Sequence, residues 1–256
     1  MNFGFIGTGK IASSVITGIC KSSINYNKIF ISSRNIKIAN RLKKKFKRVI
    51  IEKDNQTIIN NCSWVFLSIT PSVGKKIIKS LKFKLNQTII SFISTITISE
   101  LKKMIKVKAD IIRAIPLPPI SLKKGPVPIC PPHKKVKNFF NKIGSTVEIN
   151  NEKLSLNFWT MSSMMAPYYE MLNNFSLWLI RKGLNRKKAE NYITSLFLAL
   201  SKNADQNTYK DLSELVKKSQ TPRGLNEQSL KELKKSNFYK KLNNTSDKIL
   251  KRLKGN

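Results

Sequence analysis

Gly7, Gly9 and Ala12, spaced as Gly-x-Gly-x-x-Ala, are the residues of this chain best suited to bind a phosphate. They follow Asn2-Phe3-Gly4-Phe5-Ile6, a short apolar run with the composition of a buried strand, and open Lys10–Lys21, which reads as a helix packed on a sheet. In that setting the first glycine permits a tight turn and the second lets a pyrophosphate approach the backbone. The small third residue lets helix and strand pack closely, and the helix N-terminus faces the anion. Thr8, Lys10 and Ile11 complete the turn. The next strand ends in Ser32-Ser33-Arg34-Asn35, where a carboxylate would be expected if the 2′-hydroxyl of NAD were to be bound. Hydroxyls such as Ser33 and the Arg34 guanidinium suit a 2′-phosphate instead, so NADP(H) is preferred over NAD(H).

The elements that must position this turn alternate. Strands are expected at Lys28–Ser33, Val49–Ile51, Trp64–Ile69 (halted by Pro71), Gln87–Ser94 and Ala109–Arg113. Helices are expected between them at Ile36–Phe46, Gln56–Asn61, Lys75–Leu81 and Ser99–Ile105, with Ser99 as the cap of the last. Alternation of this kind implies right-handed crossovers and a parallel sheet. The rhythm stops near Asn150. Beyond it the pattern predicts helices at Leu154–Lys182, Arg186–Asn203, Lys210–Ser219 and Glu227–Lys234, followed by a basic tail. Phe158, Met161, Met165, Tyr169, Leu172 and Phe175 give the first of these a broad apolar face, which calls for a partner helix. The fold class is therefore α/β, a Rossmann-type doubly wound parallel sheet over residues 1–152, followed by an all-α dimerisation and substrate domain over 153–256. The partner is expected to be a second copy, in a homodimer or higher homo-oligomer held through the C-terminal helices.

Composition excludes several function classes. The 48 Lys+Arg and 14 Asp+Glu give a net charge of +34, a balance that can mark a polyanion partner. The excess is spread along a chain rich in Lys, Asn and Ile, as a base-biased genome would produce. Its denser runs, Arg41–Arg48 and Lys248–Lys254, lack the aromatic platform that base stacking needs, so no specific nucleic acid is expected. Cys20, Cys62 and Cys130 have no metal-ligand spacing and read as reduced cytoplasmic thiols. His133, the single histidine, lies in the loop-like Pro131-Pro132-His133-Lys134, which removes a histidine triad or zinc site from consideration; no metal is expected. The apolar Phe3–Ile19 stretch lacks a basic leader and is broken by glycines, so it reads as strand and helix, not as a signal peptide. No apolar run is long enough to span a membrane.

Over nearly its whole length the chain resembles the pyrroline-5-carboxylate reductase family. Phe5-Ile6-Gly7-Thr8-Gly9-Lys10-Ile11-Ala12 matches the family's opening strand, turn and helix, and Ser33-Arg34 its serine and arginine after the second strand. Asp54-Asn55 matches an Asp-Asn pair in which the resemblance makes Asn55 an adenine-ribose contact. Ile69-Thr70-Pro71 stands for the family's Val-Lys-Pro segment beside the cofactor, with the lysine lost. Arg113-Ala114-Ile115-Pro116-Leu117-Pro118-Pro119 stands for Arg-x-Met-Pro-Asn-x-Pro, and Glu152-Lys153-Leu154 for the start of the helical domain.

The departures lie where the resemblance puts the substrate. The family's Ser-Gly-Ser-Gly-Pro-Ala-Tyr is Ser163-Met164-Met165-Ala166-Pro167-Tyr168-Tyr169, so both glycines are replaced. Its Ser-Pro-Gly-Gly-Thr-Thr is Thr221-Pro222-Arg223-Gly224-Leu225-Asn226. The family holds the substrate carboxylate with the amides and a threonine hydroxyl of that loop. By resemblance, Ser163, Arg223, Gly224, Leu225 and Asn226 are substrate-binding candidates and Thr221 the candidate catalytic acid. Leu225 removes a hydroxyl, whereas Arg223 adds a guanidinium that could clamp a carboxylate, serve a larger acid or face solvent. The resemblance implies NADPH-dependent reduction of a small anionic cyclic imine, pyrroline-5-carboxylate to proline. Two alternatives stay open: a paralogous reductase of another small carboxylated imine or ketone, and an NADP-binding protein without turnover. A hydroxyacid dehydrogenase would want a positioned lysine or histidine base, and only surface-patterned lysines such as Lys182, Lys187 and Lys188 are on offer.

Overall fold

The computed structural model describes residues 1–206 and 211–255 and divides into two compact units, Met1–Trp159 and Thr160–Asn256. The first is built on eight strands: β1 (Phe3–Ile6), β2 (Ile29–Ser32), β3 (Val49–Glu52), β4 (Trp64–Leu67), β5 (Thr88–Ser91), β6 (Asp110–Ala114), β7 (Pro126–Cys130) and β8 (Ser145–Glu148). Helices α1 (Lys10–Cys20), α2 (Ile36–Lys45), α3 (Asn55–Asn61), α4 (Pro71–Ser80), α5 (Ile98–Ile105) and α6 (Lys134–Phe140) connect them. The sheet order is β3-β2-β1-β4-β5-β6-β7-β8, with the chain reversing direction on either side of β1. Every pairing is parallel except β6 with β7, which is antiparallel.

Side-chain alternation explains the two-faced core. Phe3 and Phe5 of β1 point to one face with Trp64 and Phe66 of β4, and Phe5 stacks on Phe66 at 4.3 Å. Ile6, Val65 and Leu67 point to the other face, where Ile58, Ile59 and Ile78 cover them. Strands buried on both faces read as continuous apolar runs, which is why they are visible in the sequence. Fully burying each Phe contributes roughly 1.5–3 kcal/mol of hydrophobic free energy. Cys20, Cys62 and Cys130 are unpaired, and burial pushes the Cys62 thiol up to about 12, where it is no nucleophile.

The structure corrects several sequence-based expectations in this unit. The Gly125–Ile149 stretch, in which the sequence pattern names no individual element, supplies β7, α6 and β8, and the antiparallel β6–β7 pairing makes the sheet mixed, not purely parallel. α5 is capped by Thr97, not Ser99: the Thr97 hydroxyl accepts from the Glu100 amide, and Glu100 reaches back to the Thr97 amide. His133 is not a free loop histidine. Its Nδ1 accepts from the Val136 amide at 3.3 Å and caps α6, while Nε2 lies 3.3 Å from Asp110.

The second unit is helical among its described residues. α7 (Glu152–Ser162) leads into it, followed by α8 (Met165–Arg181), α9 (Arg186–Gln206), α10 (Leu212–Lys218), α11 (Leu225–Lys235) and α12 (Phe238–Leu253). The single long helix expected over Leu154–Lys182 is broken at Ser163-Met164, and Pro167 falls in the first turn of α8, where its missing N–H is harmless. Lys210, the expected start of the next helix, lies outside the described residues. The basic tail is helical: Leu242, Ile249, Leu250 and Leu253 recur at helical spacing among its lysines. Phe175 of α8 stacks on Phe197 of α9 at 5.8 Å. Among the described residues of this unit, Ala189 and Ile193 are the only buried apolar ones, while Tyr169, Trp178, Tyr192, Leu198 and Leu200 are each more than half exposed.

Candidate functional site

The Gly7–Gly9 turn leaves β1 at the C-terminal edge of the parallel strands, where open α/β sheets form their ligand crevice. Gly7 has φ +97°, and a Cβ there would stand 2.3 Å from the Ser68 carbonyl oxygen. Only glycine satisfies both demands. Gly9 is different: a Cβ there would meet nothing within 4 Å, so the space above it is open. Gly9 caps α1 without a side-chain hydrogen bond, and no acid occupies the first turn, so the positive end of the helix faces this space uncompensated. Ala12 is fully buried, the close helix–strand contact its position requires.

Ser32, the last residue of β2, ties the turn down. Its hydroxyl accepts from the Gly7 amide at 2.8 Å, and its carbonyl accepts from the buried Thr8 hydroxyl at 2.6 Å. Ser32 is not among the cofactor candidates that the sequence names, which include its neighbour Ser33; its one signal is a hydroxyl at the last position of a buried strand.

A cleft of about 420 Å³ opens beside the turn, lined by Gly7, Thr8, Gly9, Arg34, Ile69 and Thr70 together with Asn35, Ile36, Lys37 and Ser68. An adjoining hollow of about 210 Å³ shares Gly7, Arg34 and Ile69 and adds Ser33, Asn55 and Lys53. The structure thus brings together eight of the eleven cofactor candidates named from sequence. Lys10, Ile11 and Pro71 do not line these hollows: the first two begin α1 directly after Gly9, and Pro71 is the first residue of α4. Lys37 and Lys53 were missed, since each looks like one more surface lysine in a lysine-rich chain. No carboxylate lines either hollow among the described residues, while Arg34, Lys37 and Lys53 supply three cations.

Asp54 is nearby but is occupied structurally. It caps α3 by accepting from the Thr57 and Gln56 amides, and these bonds hold its carboxyl below the usual carboxylate range. That leaves Asn55 as the polar side chain of the pair that reaches the hollow.

In the helical unit, Ser163 sits at the α7–α8 break with its hydroxyl donated to the Thr160 carbonyl. Thr221–Gly224 belongs to the turn between α10 and α11, closed by the Gly224 amide on the Thr221 carbonyl at 2.8 Å, and Leu225 and Asn226 open α11. Arg223 holds φ +62°, its side chain is exposed, and its amide donates to the Glu227 carboxylate at 2.6 Å. Leu225 is 81% exposed, and Asn226 donates its side-chain amide to the Ser219 carbonyl. Arg223 and Gly224 line a hollow of about 240 Å³ with Glu227, Gln228, Lys231 and Glu232; Ser163 is not part of it. Glu227, which the sequence reading did not single out, places a carboxylate at the α11 N-terminus.

Comparison with known proteins gives two family matches. Residues 2–95 match the model described as NADP oxidoreductase, coenzyme F420-dependent, and residues 153–255 match the model for pyrroline-5-carboxylate reductase dimerisation. Pyrroline-5-carboxylate reductase 3 of Xenopus laevis is 27% identical over 130 residues, 48% of this chain. The match spans about half the length of that curated relative, 46%. Among solved structures, pyrroline-5-carboxylate reductase from Streptococcus pyogenes is 23% identical with TM-score 0.85, covering 100% of this chain and 99% of that one. Pyrroline carboxylate reductase from Plasmodium falciparum, crystallised with NADP bound, is 20% identical with TM-score 0.85, covering 100% and 97%. These likenesses show a shared fold.

Proposed function

We propose that the chain is a member of the pyrroline-5-carboxylate reductase family and reduces a small cyclic imine carboxylate with NADPH, pyrroline-5-carboxylate to proline, in proline biosynthesis, a reading supported by the match of residues 153–255 to the dimerisation model of that family. Residues 1–152 serve as the dinucleotide domain and 153–256 as the dimerisation and substrate domain. The observation that carries this reading is the cleft beside Gly7–Gly9: an open α1 N-terminus at one end, three cations and no lining carboxylate at the other.

The residues present fit the cofactor. The open space above Gly9 and the unopposed helix dipole suit a pyrophosphate, and Arg34 with Lys37 and Lys53 suits a 2′-phosphate. When bound, NADPH supplies the hydride that reduces the imine carbon. The chain's own residues bind, orient and exclude water, which is most of what an already electrophilic protonated imine requires. Thr221 is the hydroxyl proposed to attend the imine nitrogen, and the α11 N-terminus with Arg223 is proposed to hold the carboxylate.

Homodimerisation through the C-terminal helices is part of the proposal. A unit that buries so little of its apolar surface alone needs a partner surface, and a second copy of a dimerisation-family domain supplies one. No helix among the described residues is long and apolar enough to cross a membrane. A cytoplasmic enzyme with reduced thiols, neither membrane-bound nor specific for nucleic acid, is the setting proposed.

One observation favours a second reading. The Glu227 carboxylate already takes the Arg223 amide at the α11 N-terminus, and Leu225 replaces a hydroxyl there. Both changes suit a paralogue acting on another small carboxylated imine or ketone.

The cofactor half of the proposal is tested by Arg34→Asp. The substitution should weaken NADPH about 100-fold more than NADH, because a charge reversal beside the 2′-phosphate has no counterpart in NADH. Dissociation constants from NAD(P)H fluorescence read this directly. Equal losses for the two nucleotides would remove the 2′-phosphate role.

A further inference from the structure

Two motif residues without a role in this account, Arg113 and Glu152, meet in the structure. Arg113 is the penultimate residue of β6, its side chain is buried, and its Nη1 lies 2.7 Å from Glu152 Oε1 at the start of α7. Its Nη2 donates to the Ser94 carbonyl, and the same Glu152 oxygen accepts from the Ile98 amide at 2.8 Å. The pair therefore grips the loop between β5 and α5 at its middle, Ser94, and at its junction with α5, Ile98. That loop leaves β5 at the sheet edge that carries the Gly7 turn, since the Phe92 amide bonds to Leu67 beside the Ser68–Thr70 segment.

Its side chains reach toward the cleft. Ile93 and Ile96 are buried under α4, where a Cβ on Gly74 would meet them at 3.1 and 3.2 Å and Ile69 at 3.7 Å. Ile69 lines the cleft itself. Interiors packed this closely transmit small displacements instead of absorbing them. We infer that Arg113 and Glu152 are positioning residues: by holding the Ser94 carbonyl and the Ile98 amide, the pair fixes the Phe92–Thr97 loop and, through Ile93 and Ile96, the Ile69–Thr70 wall of the cleft. This rests on reading that cleft as the dinucleotide site.

A planar fork serves two acceptors at once and an ammonium does not. Arg113→Lys keeps the buried charge but reaches one of the two acceptors at a time. Glu152→Gln keeps an acceptor for Ile98 but loses the charge. In the full-length protein, each variant should speed amide hydrogen exchange over residues 92–98 while exchange in β1 and β4 stays at the parent rate. With pyrroline-5-carboxylate as probe, kcat should fall about 10-fold, as a small misplacement of a reacting group does, with the NADPH dissociation constant within about twofold of the parent. The exchange readout needs no substrate, so it separates this inference from the choice of imine. Parent-like exchange over 92–98 in both variants overturns the inference. So does a drop in melting temperature with kcat per folded site unchanged, since that is what a purely structural ion pair would give.

Discussion

Gly9→Asp is expected to raise the dissociation constant for NADPH by at least about 100-fold, roughly 2.7 kcal/mol, while leaving the melting temperature at or slightly above that of the parent chain. The two halves have one cause. Gly9 caps α1 with extended backbone (φ −86°, ψ −169°), and a Cβ there meets nothing. An aspartate accepts this geometry and can cap α1, which is worth a few tenths of a kcal/mol over glycine and is reinforced by the helix dipole. The same carboxylate then occupies the helix end that a pyrophosphate needs, with like charge. Isothermal titration and thermal unfolding on one sample decide the matter. Parent-like affinity would remove Gly9 from the phosphate site, and a large loss of stability would contradict the open geometry above it.

Gly7→Ala should behave in the opposite way. At φ +97° an L-residue costs about 1–2 kcal/mol, and a Cβ placed 2.3 Å from the Ser68 carbonyl oxygen adds at least as much through forced backbone movement. A loss of about 3 kcal/mol lowers the melting temperature of a domain this size by roughly 10 °C. The displaced turn also disturbs the Gly7 amide bond to Ser32, so nucleotide affinity falls with stability. A variant with parent stability would show that the turn does not need glycine. Together the two substitutions separate a glycine kept for the fold from one kept for the ligand.

How much of this was legible in the sequence follows from where burial is two-sided. β1, β2, β4 and β5 are buried along their whole length, so their apolar runs stand out, and the Gly-x-Gly turn fell directly after the first. β7 was hidden by Pro126 and Pro128, which argue against a strand. Pro128 falls where the β6–β7 ladder ends: the last paired residues are Ala114 and Ile129, and beyond them Pro128 offers its carbonyl to the Ile115 amide. The α7–α8 break was signalled by Pro167 and overlooked because the apolar face runs on through it. In α12 lysines outnumber the leucines that define its face, so the sequence alone predicts only a basic tail.

The candidate site divides the same way. Gly7, Gly9 and Arg34 are marked by type and spacing, so sequence located them. Ser32, Lys37, Lys53 and Glu227 come to matter only through the neighbours the fold gives them. In a chain with 48 Lys+Arg, two lysines carry no signal until the structure places them beside Arg34.

The central claim is tested most directly by following NADPH oxidation by the purified full-length protein at saturating pyrroline-5-carboxylate, with NADH in parallel. The account predicts turnover with a clear preference for NADPH and proline as the product. NADPH binding without turnover of pyrroline-5-carboxylate would contradict it, and would point to the first turn of α11, with Leu225 and Glu227, as fitted to a different acid.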